Sequence, residues 1–147
     1  MYYLQSEASF DAAHFLKGYA GKCANLHGHR WRVLAEIGGE ALIPAGPETG
    51  MLMDFSHIKG ALRGLTDGLD HRLLLEKNSL RPETEAALAA EGFDMVTFPF
   101  RTTAENLARW FYDRLREQGF PVSGVTVWET PENCARYTGG GEAVWDV

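Results

Sequence analysis

Residues 27–37, HGHRWRVLAEI, decide how this chain folds. Its odd positions are His27, His29, Trp31, Val33, Ala35 and Ile37; its even positions include Arg30, Arg32, Leu34 and Glu36. Alternate residues of a strand face opposite sides of a sheet. The stretch therefore reads as a strand whose apolar face also carries two histidines. Upstream, YYLQSEASFDAAH (residues 2–14) follows the same rule: Tyr2, Leu4, Ser6, Ala8, Phe10, Ala12 and His14 make the apolar set, with His14 at its end. Between them, FLKGYAGKCANL (residues 15–26) has two glycines and no period, so it reads as a loop. A hairpin of these strands puts His14 beside His27 and His29.

Downstream, residues 38–50 hold four glycines and two prolines, a turn-rich stretch. A helix follows. Asp54 is its N-cap, Phe55, Ile58, Leu62, Leu65 and Leu69 are its apolar stripe, and Gly68 lies near its end. Residues 72–101 have little pattern apart from RPETEAALAAEG, a short helix with Pro82 near its start and Gly92 at its end. Thr102 and Glu105 are spaced as a capping box for another helix, with a stripe of Leu107, Trp110, Phe111 and Leu115, ended by Gly119. Residues 122–130 read as a third strand, with Val125, Val127 and Glu129 on one face. PENC is a turn, and residues 134–147 give a fourth strand interrupted by Gly139, Gly140 and Gly141, with Cys134 packed within it. Two strands, helices and two strands imply an α+β fold with an antiparallel sheet, in one domain spanning residues 1–147.

The formal net charge of −6 argues against a general nucleic-acid or anionic-membrane binder. The first residues lack the basic start and apolar run of a signal peptide, and no apolar stretch approaches the ~20 residues of a membrane span. Two cysteines, Cys23 and Cys134, do not make a disulfide scaffold. The expectation is a reduced, cytoplasmic protein.

Side chains at i and i+2 of a strand lie about 6.5–7 Å apart on one side, close enough for two imidazoles to share an ion. His27 and His29 fit this, and His14 supplies a third nitrogen. Three histidines leave one zinc position open, as catalysis requires; Cys23 as a fourth ligand would close the site. His57, alone inside a helix, reads as a packing residue. Asp70-His71 is either a carboxylate orienting an imidazole or a helix-end cap beside a surface histidine. Glu129, on an apolar register, either accepts hydrogen bonds from a ligand with an N–H pair or faces solvent.

Six pieces occur in order: FDAAH ending at His14, CANLHGH from Cys23 to His29, MDF at Met53–Phe55, LDH at Leu69–His71, TAENLA at Thr103–Ala108, and ET at Glu129-Thr130. The set resembles the 6-pyruvoyl-tetrahydropterin synthase / 6-carboxy-tetrahydropterin synthase family. The three residues between Cys23 and His27 look like the bacterial 6-carboxy branch. Arg101-Thr102 stand where the family often has Asn-Pro.

The resemblance implies a tunnelling fold (T-fold): a four-stranded antiparallel sheet with helices on one face, three subunits closing a barrel, and two trimers stacking as a homohexamer. It implies Zn2+ on His14, His27 and His29, and Cys23 as a catalytic acid/base rather than a ligand. Asp70 and His71 would complete a triad with Cys23 from a neighbouring subunit. Glu129 would anchor the pterin ring, helped by Thr103 and Glu105, with Lys17, Lys22, Arg30 and Arg32 as candidates for the triphosphate. The implied reaction converts 7,8-dihydroneopterin triphosphate to 6-carboxy-5,6,7,8-tetrahydropterin, acetaldehyde and triphosphate, toward queuosine. The alternatives are a 6-pyruvoyl-tetrahydropterin synthase, and a non-catalytic module stabilised by zinc on one cysteine and three histidines.

Overall fold

A computed structural model describes residues 1–141 of the 147-residue chain. The elements in chain order are β1 (Tyr2–His14), β2 (His27–Gly39), α1 (Phe55–Asp67), β3 (Arg72–Glu76), α2 (Pro82–Ala90), β4 (Met95–Phe98), α3 (Ala104–Glu117), β5 (Val122–Thr130) and β6 (Asn133–Tyr137). The part of the expected fourth strand beyond Gly141 lies outside the described residues. No helix among the described residues is long and apolar enough to cross a membrane.

The hairpin forms as the alternation requires. β1 and β2 pair antiparallel from Tyr2↔Gly39 to His14↔His27. Phe10, Ala12, Trp31, Val33, Ala35 and Ile37 are buried, and the residues between them are not. Phe10 and Trp31 are cross-strand partners with rings stacked at 6.1 Å. β5 joins β2 antiparallel, setting Val127 beside Val33 and Val125 beside Ala35, and β6 completes an antiparallel β1-β2-β5-β6 block.

The sheet is larger than the four antiparallel strands expected. Among the described residues it has six, in the order β4-β3-β1-β2-β5-β6, and β3 pairs parallel with both β1 and β4. Both extra strands come from the weakly patterned residues 72–101. β3 is RLLLE, a run without alternation, as strands beside parallel neighbours tend to be, and β4 has only four residues.

α1 and α3 bury the apolar face. Ile58 and Leu62 of α1, and Leu107, Phe111 and Leu115 of α3, have no exposed surface. Asp54 caps α1 by accepting from the Ser56 N–H at 2.8 Å. The expected stripe of α1 needs correction at its ends: Phe55 is exposed, and Leu69 is buried but follows the helix. His57 lies on the exposed side of α1 rather than in the core. α2 buries none of its residues fully. The cap of α3 is Thr103, which accepts from Asn106 N–H at 3.3 Å, and not Thr102. Thr102 is buried and serves elsewhere. Cys134 is exposed on the short strand β6, not packed in the core.

Candidate metal centre and adjoining cavity

The last turn of the alternation builds the site. His14 closes β1, His27 opens β2 directly opposite, and His29 pairs with Ala12 one step further in. Ring centroids lie 4.6 Å apart for His14–His27, 5.2 Å for His14–His29 and 4.8 Å for His27–His29. Trp31 forms the floor, edge-on to His14 at 4.9 Å and to His29 at 5.3 Å, and its indole N–H donates to the Ala12 carbonyl. Its bulk separates the imidazoles from the apolar core.

β5 brings a fourth group. Oε1 of Glu129 lies 3.3 Å from Nε2 of both His14 and His29. One ligand atom from each of His14, His27, His29 and Glu129 falls within 4.8 Å of all the others. Cys23 is not in this set.

The donor chemistry of the cluster fits a metal ion. His14 Nδ1 lies 2.9 Å from the Thr102 carbonyl, and His27 Nδ1 lies 2.6 Å from the Asn25 carbonyl. A carbonyl only accepts, so both Nδ1 atoms carry protons, and in the neutral ring Nε2 is the nitrogen free to hold an ion. The Nε2 atoms of all three histidines are buried without a hydrogen-bond partner. Burial first, and then the two neighbouring imidazoles, hold His29 below its ordinary pKa although Glu129 opposes this, which favours the neutral ring that can donate a lone pair. The contact with His14 first, and the charge the imidazoles carry when protonated, hold the Glu129 carboxyl below its usual range against the effect of burial. Lone pairs thus converge on one point, an arrangement that a cation relieves.

Beside this cluster, a cavity of about 300 Å³ is lined by Cys23, Thr103, Glu105 and Glu129 among others. Four of the expected site residues therefore meet in one chain. Cys23 sits in a short 3-10 turn, Lys22–Ala24, and its carbonyl accepts from the Leu16 N–H at 2.9 Å, which closes the loop.

Asp70 and His71 are elsewhere. They precede β3, and His71 lines a different cavity, of about 620 Å³, with Gly28, His29 and Arg30. The pair is latched to β1: Asp11 N–H donates to Asp70 Oδ1 at 2.9 Å, and His71 N–H donates to the Asp11 carbonyl at 2.7 Å. Asp70 Oδ2 lies 2.9 Å from His71 Nδ1, and the His71 side chain is 79% exposed. His71 holds φ at 59°, a left-handed conformation that costs energy in a residue with a Cβ.

Of the basic residues near the loop, Arg30 is held by Asp11 through two bonds of 3.0 Å. Arg32 lies 4.0 Å from Glu7 and stacks over Trp128 at 3.8 Å. The sequence reading missed Thr102 and the Asn25 carbonyl, which hold two of the imidazoles. No local pattern marks either one.

Residues 3–140 match the family model described as 6-pyruvoyl tetrahydropterin synthase. The chain is similar to a 6-carboxy-5,6,7,8-tetrahydropterin synthase of Haemophilus influenzae, with 37% identity over 141 residues, covering 93% of this chain and 99% of that one. It is similar to the enzyme of the same name from Synechocystis sp., with 36% identity over 139 residues and 93% of each chain covered. In fold it resembles an uncharacterized protein of Wolinella succinogenes at a TM-score of 0.79 and 23% identity, covering 95% and 98% of the two chains. It also resembles the 6-pyruvoyl tetrahydropterin synthase of Caenorhabditis elegans at a TM-score of 0.67 and 26% identity, covering 95% and 96%.

Proposed function

The chain belongs to the 6-pyruvoyl tetrahydropterin synthase family, and from that premise we propose that it is a zinc-dependent carbon–carbon lyase of the 6-carboxytetrahydropterin kind. The substrate is 7,8-dihydroneopterin triphosphate. One water is consumed, and the products are 6-carboxy-5,6,7,8-tetrahydropterin, acetaldehyde and triphosphate, an early step toward the deazaguanine of queuosine. Residues 1–147 act as one cytoplasmic domain that assembles with copies of itself, as two stacked trimers.

The observation that carries this reading is the cavity where Cys23 and Glu129 meet, with Glu129 touching the histidine cluster. His14, His27 and His29 would hold zinc, and with Glu129, which also reaches the cluster, given to the ring of the substrate, a fourth position would be open to the substrate side chain. Bound there, zinc supplies a Lewis acid for the hydroxyls of the substrate side chain. Bond cleavage beside a hydroxyl-bearing carbon needs one group to remove a proton and another to return one. Sγ of Cys23 and the imidazole of His71, oriented by Asp70, take these two roles. His71 is exposed, latched to β1, and lines a different cavity from Cys23, which suits a residue completing the site of a neighbouring subunit. Glu129 accepts the N–H pair of the pterin ring, and Thr103 and Glu105 line the same cavity.

The test is turnover of 7,8-dihydroneopterin triphosphate by the purified, zinc-loaded protein, with products identified by mass. A carboxy-tetrahydropterin together with acetaldehyde establishes the lyase. A product retaining the acetaldehyde carbons assigns the sister activity, triphosphate elimination to 6-pyruvoyl-tetrahydropterin. A non-catalytic module closed by Cys23 is the least supported alternative, since the group that joins the histidines is Glu129.

A further inference from the structure

Three residues, Arg101–Thr103, link buried Phe100 to the first turn of α3, and α3 fixes where they lie. The Arg101 carbonyl accepts from Thr103 N–H at 2.8 Å and from the Asn106 side chain at 2.9 Å. Thr103 caps the helix, whose stripe of Leu107, Phe111 and Leu115 is fully buried against the sheet. Arg101 reaches the other way and donates from its guanidinium to the Lys17 carbonyl, in the loop that carries Cys23.

Between these anchors Thr102 is fully buried, and both its carbonyl oxygen, at 2.9 Å, and its hydroxyl, at 3.1 Å, face Nδ1 of His14. The carbonyl can only accept. The imidazole proton therefore sits on Nδ1, and the hydroxyl is a second acceptor for the same N–H. The other ring nitrogen, Nε2, is the one that lies in the cluster with His27, His29 and Glu129.

We propose that Thr102 is a positioning residue of the metal centre. Its carbonyl selects the Nδ1–H form of His14, its hydroxyl fixes the ring's rotation, and the two together tie a metal ligand on β1 to the rigid start of α3. The physical reason is that a ligating imidazole whose far N–H is held by a fixed acceptor need not be reoriented when the ion binds. This inference rests on the metal reading of the histidine cluster and not on the identity of the substrate.

The experiment compares the affinity of Zn2+ alone, by chelator competition, for the wild type, Thr102→Val and Thr102→Ser. Val keeps the shape and the carbonyl but removes the hydroxyl; Ser keeps the hydroxyl. The expected result is affinity about tenfold or more weaker for Val, with Ser close to wild type. Equal affinity for wild type and Val overturns the proposal. So does equal weakening by Val and Ser, which assigns the residue to packing. If Val does not fold, nitrogen-15 NMR of the metal-free wild type decides, because His14 protonated on Nε2 overturns the proposal and Nδ1–H supports it. A wild type that binds no Zn2+ refutes the metal reading separately, and the NMR result still decides what Thr102 does to His14.

Discussion

His14 and His27 stand directly opposite each other across the β1–β2 hairpin, their rings 4.6 Å apart, and each gives its Nδ1 proton to a backbone carbonyl. The carbonyls belong to Thr102 and Asn25, so two separate parts of the chain aim the two rings. The consequence is that both Nε2 atoms share one buried space with His29 and Glu129.

His27→Ala removes one of the three imidazole nitrogens of the cluster. The variant is expected to lose stoichiometric metal, as measured by elemental analysis after dialysis. Cys23→Ala lies outside the cluster and is expected to keep its metal. Its turnover is expected to fall by a factor on the order of 10² to 10⁴, the usual contribution of a positioned acid or base. Loss of metal from the cysteine variant would instead make Cys23 a ligand.

Glu129→Gln keeps the shape of the side chain but removes its charge. A hydrogen bond to a charged group contributes about 1.5–3 kcal/mol, so KM is expected to rise roughly tenfold or more. Metal content is expected to stay stoichiometric on the three histidines. Steady-state kinetics together with metal analysis separates ring anchoring from ligation.

Asp70 is held below its ordinary pKa of 3.8, chiefly by the Asp11 backbone N–H and then by His71. A carboxyl with a depressed folded-state pKa binds fewer protons folded than unfolded. Its stabilising contribution is therefore fully present above the unfolded value and is lost as pH falls from about 3.9 through the folded value. Asp70→Asn keeps an acceptor for Asp11 N–H but cannot titrate. It is expected to flatten the acid limb of stability in that window, read from urea midpoints across pH. An unchanged limb would show that Asp70 does not contribute to it.

Phe111 is fully buried on α3, with its ring 6.1 Å from Phe10 and 4.9 Å from Trp110. Phe111→Ala empties this contact between α3 and β1. The expected cost is about 3–5 kcal/mol, seen as a lower midpoint in chemical denaturation. Because α3 also fixes Thr102, metal affinity is expected to fall in the same variant.

The hairpin was legible residue by residue because a half-buried antiparallel strand writes its two faces into alternate positions. The same rule failed at β3, where RLLLE carries no alternation, and at four-residue β4. α2 shows no apolar stripe, yet Pro82 and Gly92 bracketed it correctly. The adjacent threonines misled in a different way. Thr102 and Glu105 have the capping-box spacing, but His14 occupies Thr102, and Thr103 is left to cap α3.

By itself the sequence determined that His14, His27 and His29 lie on one apolar face, because a period of two is a local property of extended backbone. It also determined the caps, turns and apolar stripes of the helices, which depend on residues a few positions apart. Only the tertiary structure decided that Glu129 meets the three imidazoles, that Cys23 shares its cavity, and that Thr102 holds His14 from 88 positions away. Those contacts follow from sheet order and from how α3 docks on β5. Both are settled by burial of apolar surface across the whole fold, which no short stretch of sequence records.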